Sequence, residues 1–143
     1  MDKVLPVEQP FWFTIAMPAD PRLAPVLRDL AVRIARQVGC AGEHADRFGA
    51  TLAEAVARAV VRGRTTRGGA HVEARFRVNL SAFEVTLLLT GDDDEAAAAL
   101  AAGDPGMIWS SDILEEATDR FEVSRDPDGI RCRMTRVLPK TRV

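Results

Sequence analysis

Three charged residues, Glu54, Arg58 and Arg62, recur at every fourth position in the middle of the chain. In an α-helix this spacing places all three side chains on one face. The simplest interpretation is an exposed row of ion pairs, each stabilising the helix by roughly a few tenths of a kcal/mol. The alternative is a remnant or repurposed site in which the two guanidinium groups attract phosphates. Because a guanidinium carries only donors, Arg58 and Arg62 cannot ligate a divalent metal.

Histidine and cysteine, which commonly serve as metal ligands or nucleophiles, are scarce in this chain. His44 and His71 are the only histidines, and Cys40 and Cys132 are the only cysteines. The two cysteines lack the C-x-x-C spacing of a zinc ribbon and are too few for a disulfide scaffold. We therefore expect neither a multi-histidine metal site nor a histidine-based triad. Both histidines are expected to be structural or solvent-exposed, and Cys132 to be a small buried residue.

Length and charge narrow the classes of protein that this chain can represent. Its 143 residues fit one domain, and 47% apolar with 28% charged residues is typical of a soluble globular protein. A net charge of −2 argues against a nucleic-acid backbone as the main partner. No apolar run reaches the roughly 18–20 residues of a membrane span, and the first residues lack the apolar region of a secretory signal. We predict one cytoplasmic domain over 1–143, with a core over about 9–138 after a short flexible N-terminal segment, contacting neither nucleic acid nor membrane.

Hydrophobic periodicity predicts the elements that would position these residues. Apolar residues alternate in the predicted strands and recur every three or four positions in the predicted helices. Asp20 is the expected N-cap of the first helix, and Gly39 follows its end. The predicted elements are a strand over 11–17, helices over 21–38 and 43–62, strands over 71–79 and 83–90, an alanine-rich helix within 91–102, a helix over 107–120 and a strand over 130–138.

This order of elements predicts an α+β two-layer sandwich. A mixed, mostly antiparallel sheet would be covered on one face by about three helices. The short polar segment between the strands over 71–79 and 83–90 indicates an antiparallel hairpin. Trp109 is expected in the core. Trp12 is out of phase with its apolar neighbours, so we expect it to face away from the core, where an indole could anchor an interface.

Residues 51–63 (TLAEAVARAVVRG) resemble the N-box helix of the RsbW-type anti-sigma factors. These are small serine kinases of the GHKL group of ATPases, which have the Bergerat, or histidine-kinase-like ATPase, fold. Three more segments are similar to the family: 13–15 to its opening strand, 107–117 to its last helix and 129–137 to its closing strand. The resemblance covers nearly the whole chain and implies the same fold, in agreement with the layers predicted from periodicity.

The N-box departs from the family at two positions. In the family, its glutamate handles the attacking or phosphoryl-accepting group, and an asparagine four residues later holds Mg²⁺. Glu54 matches that glutamate, so the resemblance makes it the catalytic residue if the protein is active. Arg58 stands at the asparagine position and Arg62 at the position of a following histidine.

The two glycine motifs of the family are also reduced. Gly91 is the remaining glycine of Asp-x-Gly-x-Gly, whose aspartate recognises adenine and is replaced here by Leu89. The family's phosphate-binding Gly-x-Gly-Leu aligns with residues 104–107, where Gly106 is the one glycine left. Asp104 replaces the first glycine, and the proline after it has no N–H to donate. The acidic run over 92–95 would either cap the next helix or repel a nucleotide by roughly 4 kcal/mol per close pair of charges.

The resemblance therefore implies a regulatory protein of the anti-sigma type that acts by protein–protein binding in a partner-switching pathway. We expect no cofactor and no enzymatic activity. The implied partner is a sigma factor or a STAS-domain anti-anti-sigma protein, and a homodimer is consistent with the family. The alternative is an active serine kinase that uses ATP and Mg²⁺, with Glu54 as acid/base and Arg58 and Arg62 on the phosphates. A structural or accessory α+β domain unconnected with sigma factors is the third reading.

Overall fold

Five strands and four helices make up the part of the chain that the computed structural model describes, residues 10–109 and 118–138. Their bounds, in chain order, are β1 Phe11–Pro18, α1 Leu23–Gln37, α2 Gly42–Arg64, β2 Ala70–Val78, β3 Ala82–Gly91, α3 Asp94–Ala102, α4 Pro105–Trp109, β4 Arg120–Asp126 and β5 Gly129–Val137.

The strands form one sheet in the order β1-β2-β3-β5-β4. All four ladders between the described strands are antiparallel, including the β2–β3 hairpin that the sequence predicts. Side chains on one sheet face are buried beneath the helices, whereas Arg75 and Arg77 on the other face are exposed. The prediction of an α+β two-layer sandwich is confirmed. The predicted sheet was mixed, whereas the sheet formed by the described strands is entirely antiparallel.

A row of phenylalanine rings joins the sheet to the helices. Phe13 on β1 stacks on Phe76 of β2 with ring centroids 4.8 Å apart, and Phe76 lies 6.3 Å from Phe83 of β3. Phe83 in turn lies 5.1 Å from Phe48 of α2. α1 packs on α2 through Leu23, Leu27, Ala31 and Ala35, all buried. Among the described helices, none has both the length and the apolarity needed to cross a bilayer.

The predicted helix over 107–120 is wrong at its C-terminal end. Helical residues run from Pro105 to Trp109, and residues 110–117 of this prediction lie outside the described residues. Residues 118 and 119 form a bend, and Arg120 begins β4. The sequence did not reveal β4 because this edge strand has only two apolar residues, Phe121 and Val123, and both are only partly buried.

The first helix begins two residues later than predicted, and Asp20 does not act as its N-cap. The Asp20 carboxylate accepts the backbone N–H of Arg22 at 2.8 Å and binds the Arg22 guanidinium at 2.6 Å. Hydrogen bonds from Arg22 lower the pKa of Asp20 to about 2. The side chain therefore stabilises the turn before α1.

Gly39 follows the end of α1 with φ +101°, as the sequence predicts for a residue just beyond a helix. Its N–H donates to the carbonyl of Arg36 at 3.2 Å, and the N–H of Cys40 donates to Ala35 at 2.9 Å. A side chain with a Cβ is strained in this left-handed conformation, so glycine allows the chain to turn directly into α2.

Replacing Gly39 with alanine should lower the free energy of unfolding by about 1–2 kcal/mol, the cost of placing a Cβ in the left-handed region. Gly42→Ala is the matched control, because an added Cβ there meets nothing within 4 Å and φ is not positive. Urea denaturation followed by circular dichroism measures both variants. Equal stability of the two variants would contradict the assigned role of Gly39.

Candidate functional site

Glu54, Arg58 and Arg62 lie on one face of α2, as their spacing predicts. The Nε of Arg58 donates to Oε1 of Glu54 at 3.0 Å, which forms an i, i+4 ion pair on a partly exposed surface. Such a pair contributes about 0.3–0.5 kcal/mol. The interpretation as an ion-pair row is confirmed for Glu54 and Arg58. Among the described residues, the guanidinium of Arg62 has no hydrogen bond or ion pair.

The guanidinium of Arg58 also contacts α4. Its Nη1 donates to the carbonyl oxygen of Ile108 at 3.4 Å. Arg58 thus lies between a carboxylate on its own helix and a backbone oxygen of α4. The Arg58 side chain has no oxygen and places a permanent positive charge where the resemblance expects an asparagine, so this position does not fit Mg²⁺. The described part of the chain also contains no cluster of three or more His, Cys, Asp or Glu able to hold a metal.

Trp109 fixes α4 against α2. Its side chain is fully buried, and the indole Nε1–H donates to the backbone oxygen of Ala55 at 3.0 Å. The prediction that Trp109 belongs to the core is confirmed. This contact brings Met107 and Ile108 beside the Glu54–Arg58 pair.

The backbone N–H of Gly106 already has a partner. It donates to Oδ1 of Asp104 at 3.0 Å, and the Asp104 carbonyl accepts the N–H of Met107 at 3.1 Å. In the RsbW-type family, the backbone amides of the corresponding segment bind phosphate. Here a carboxylate from the same chain accepts the Gly106 amide and adds a negative charge beside it.

α2 and α4 enclose a groove of about 470 Å³, here called the α2–α4 groove. Two of its apolar residues are unusually open to solvent: Val61 is 65% exposed and Met107 is 85% exposed. Polar and charged side chains surround them. The residues that line the groove are Glu54, Ala57, Arg58, Val61, Arg62, Thr65, Met107 and Ile108.

Gly91 does not line the α2–α4 groove. It ends β3, where its N–H donates to the carbonyl of Asp128 at 3.1 Å. A Cβ at Gly91 would lie 2.1 Å from the backbone nitrogen of Ala97, so glycine is required by the close approach of α3. Leu89, which the resemblance aligns with the adenine-recognising aspartate, is buried in the core. The structure brings Glu54, Arg58 and Arg62 together with the segment around Gly106, but places Gly91 in a different packing role.

The acidic run over 92–95 caps α3, which confirms the structural interpretation. Oδ1 of Asp93 accepts the backbone N–H of Ala96 at 2.7 Å, and Asp94 and Glu95 lie in the first helical turn. Oδ1 of Asp92 lies 2.8 Å from Nδ1 of His71, a partly exposed pair. His44 is also partly exposed, at the start of α2.

Sequence reasoning missed the apolar half of the groove. Val61 is off the buried stripe of α2, and an exposed valine off such a stripe is a weak signal because single surface apolar residues are common. The sequence predicts that Met107 begins an amphipathic helix. Nothing in its local sequence indicates that it lies beside Val61. Trp12 is 74% exposed, which confirms that it faces away from the core.

A scan against models of protein families and a search of curated proteins found no match to this chain. The RsbW-type resemblance consequently depends on the sequence motifs alone. The α+β layer architecture agrees with it, but many unrelated proteins share that architecture.

The two cysteines should differ in reactivity. Burial raises the pKa of the Cys132 thiol to about 12, and burial also raises that of the half-buried Cys40. We expect iodoacetamide near neutral pH to modify Cys40 slowly in the folded protein and Cys132 only after unfolding, because the thiolate is the reactive form. Peptide mass spectrometry with and without urea distinguishes the two sites.

The same shift has a consequence for stability at high pH. An unfolded thiol ionises near pH 8.5, whereas folded Cys132 keeps its proton, so stability should fall as pH rises above about 8.5. As the pH rises above about 8.5, the urea midpoint of Cys132→Ala should decline less than that of the original chain. Rapid alkylation of folded Cys132 would contradict its assigned burial.

Proposed function

We propose that this protein is a cytoplasmic regulatory protein of the anti-sigma type, built on a histidine-kinase-like ATPase fold, that acts by binding another protein and no longer binds ATP. The double contact of Arg58, with the Glu54 carboxylate and the Ile108 carbonyl, supports this most. At this position the RsbW-type family has the asparagine that holds Mg²⁺. A permanent cation engaged on both sides is a poor substitute for a metal ligand.

The remaining nucleotide motifs support the same conclusion. Leu89 is buried and has no side-chain acceptor for the adenine amino group. Asp104 already accepts the N–H of Gly106. A bound nucleotide would have to displace this carboxylate and tolerate its charge, and each lost hydrogen bond costs about 1–3 kcal/mol. Micromolar binding amounts to only about −8 kcal/mol, so two losses of this size would weaken it well below micromolar affinity.

The α2–α4 groove has the character of a protein-binding surface. Met107 and Val61 form an exposed apolar centre, and Glu54, Arg62 and Thr65 supply a polar rim. An apolar centre with a polar rim is typical of sites where one protein docks on another. The proposed partner is a sigma factor or a STAS-domain anti-anti-sigma protein.

An active serine kinase is the second candidate, and one observation favours it. The guanidinium of Arg62 borders the α2–α4 groove without a hydrogen bond or ion pair among the described residues, so it could receive a phosphate. In that case Glu54→Ala would abolish phosphate transfer to a partner serine.

Calorimetric titration with Mg-ATP should detect no binding at micromolar nucleotide, because neither the metal nor adenine has a suitable ligand. Arg58→Asn is the informative variant. It restores the asparagine of the family but leaves Leu89 and Asp104 unchanged, so we expect it not to bind either. Micromolar affinity of the original chain, with transfer of phosphate to a partner serine, would establish the kinase instead.

A charge placed in the centre of the groove should disrupt partner binding. We expect Met107→Glu and Val61→Glu each to weaken binding to the cognate sigma factor or STAS-domain protein at least about tenfold, or about 1.4 kcal/mol. Leu80→Glu is the matched control, since Leu80 is 64% exposed and lies outside the groove. Surface plasmon resonance measures the affinities. Equal weakening by the control, or no binding to either class of protein, would contradict the proposal.

A further inference from the structure

The sheet carries a second groove, on the side away from the helices. Strand residues on this side alternate with the buried ones and are here called the open face. Its central row runs across all five strands in register, as Thr14, Arg75, Thr86, Arg133 and Glu122. A broad groove of about 470 Å³ follows the open face and is separate from the α2–α4 groove.

Four arginines line the groove of the open face: Arg75, Arg77, Arg131 and Arg133. Two of them are paired with carboxylates. Arg75 lies 2.9 Å from Glu73, and Arg133 lies 2.6 Å from Glu122. Hydrogen bonding to Arg133 also lowers the pKa of Glu122, so this pair stays ionised.

The other two arginines retain uncompensated charge. Arg131 bonds only to the neutral hydroxyl of Ser124, at 3.1 Å. Arg77 has no hydrogen bond or ion pair with the described residues, although Glu84 lies opposite it in the ladder. Arg77 and Arg131 lie two strands and four residues apart, so their backbones are separated by about 16 Å.

Trp12 stands beside Arg77 on the edge strand, directly opposite it in the β1–β2 ladder. Its indole is 74% exposed, and its N–H has no partner among the described residues. A large exposed indole with a free donor, next to an unpaired cation, is the kind of residue that anchors a protein interface.

We propose that the open face binds an extended acidic segment of a partner protein. Two carboxylates of that segment, about four or six residues apart and on the same side of an extended chain, would pair with Arg77 and Arg131. An apolar side chain would pack on Trp12. This surface lies on the opposite side of the sheet from the α2–α4 groove, so the proposal is independent of the proposed function.

The mixture of charges favours a polypeptide over a nucleic acid. Glu73, Glu84 and Glu122 lie beside the arginines and would repel a continuous phosphate backbone. Separated carboxylates on a polypeptide can avoid them. Surfaces that bind single-stranded nucleic acid stack several bases on aromatic rings, whereas the described open face exposes one ring, Trp12.

The test uses a fluorescein-labelled peptide in which glutamate alternates with serine and one terminal glutamate is replaced by leucine, so that the carboxylates and the leucine lie on the same side of the extended chain. Fluorescence anisotropy is measured at low and at physiological salt. The double variant Arg77→Glu/Arg131→Glu should weaken binding at least about tenfold, and Trp12→Ala should weaken it at either salt concentration. The matched control is Arg33→Glu/Arg47→Glu, the same charge change at two exposed arginines of the helical layer. It should change affinity less than about threefold. Circular dichroism verifies that each variant is folded.

Intrinsic fluorescence provides a second readout, because Trp109 is buried and reports little of a ligand on the open face. Binding should shift the emission of Trp12 to shorter wavelength. The proposal is overturned if the original chain does not bind the peptide, or if the control variant weakens binding as much as the open-face variant. Tighter binding of a fluorescein-labelled oligo-dT than of the peptide would also overturn it, and would identify a nucleic-acid surface.

Discussion

The position of α2 on the sheet depends on the continuous row of rings from Phe13 through Phe76 and Phe83 to Phe48. Aromatic side chains bury a large apolar area, and their offset contacts add about 0.5–1.5 kcal/mol per pair. Because the row crosses three strands and ends on α2, it sets both the register of the sheet and the height of the helix above it. The contact of Arg58 with Ile108 depends on that placement, whereas its pair with Glu54 lies within α2.

On this framework, two contacts determine the shape of the α2–α4 groove. The bond from Trp109 to Ala55 holds α4 on α2, and the bond from Arg58 to Ile108 closes the space beside Glu54. The groove that remains is shallow, apolar at its centre and charged at its rim. The proposed protein binding depends on this combination of an apolar centre and a charged rim.

Periodicity was sufficient to predict the two long helices, the β2–β3 hairpin and the side of the sheet that is buried, because many residues contribute to each pattern. It failed where few residues carry the signal. β4 has two apolar positions, and Val26 fits the apolar stripe of α1 yet is 54% exposed, because α1 packs mainly on α2 through a narrower face. In the site, the Glu54–Arg58 pair follows from helical spacing. The approach of Ile108 to Arg58 and of Met107 to Val61 could not be predicted, since these contacts join segments about fifty residues apart.

The order β1-β2-β3-β5-β4 leaves β1 and β4 at the borders of the described sheet, where unpaired backbone groups can recruit a strand from another molecule. β4 carries charges at Arg120, Glu122, Arg125 and Asp126, and charged side chains on an edge strand disfavour pairing with a further strand. β1 ends at Pro18, which lacks a backbone N–H. β1 has no charged residue between Phe11 and Met17, so Pro18 limits pairing only at its end, and β1 is the border more open to an added strand.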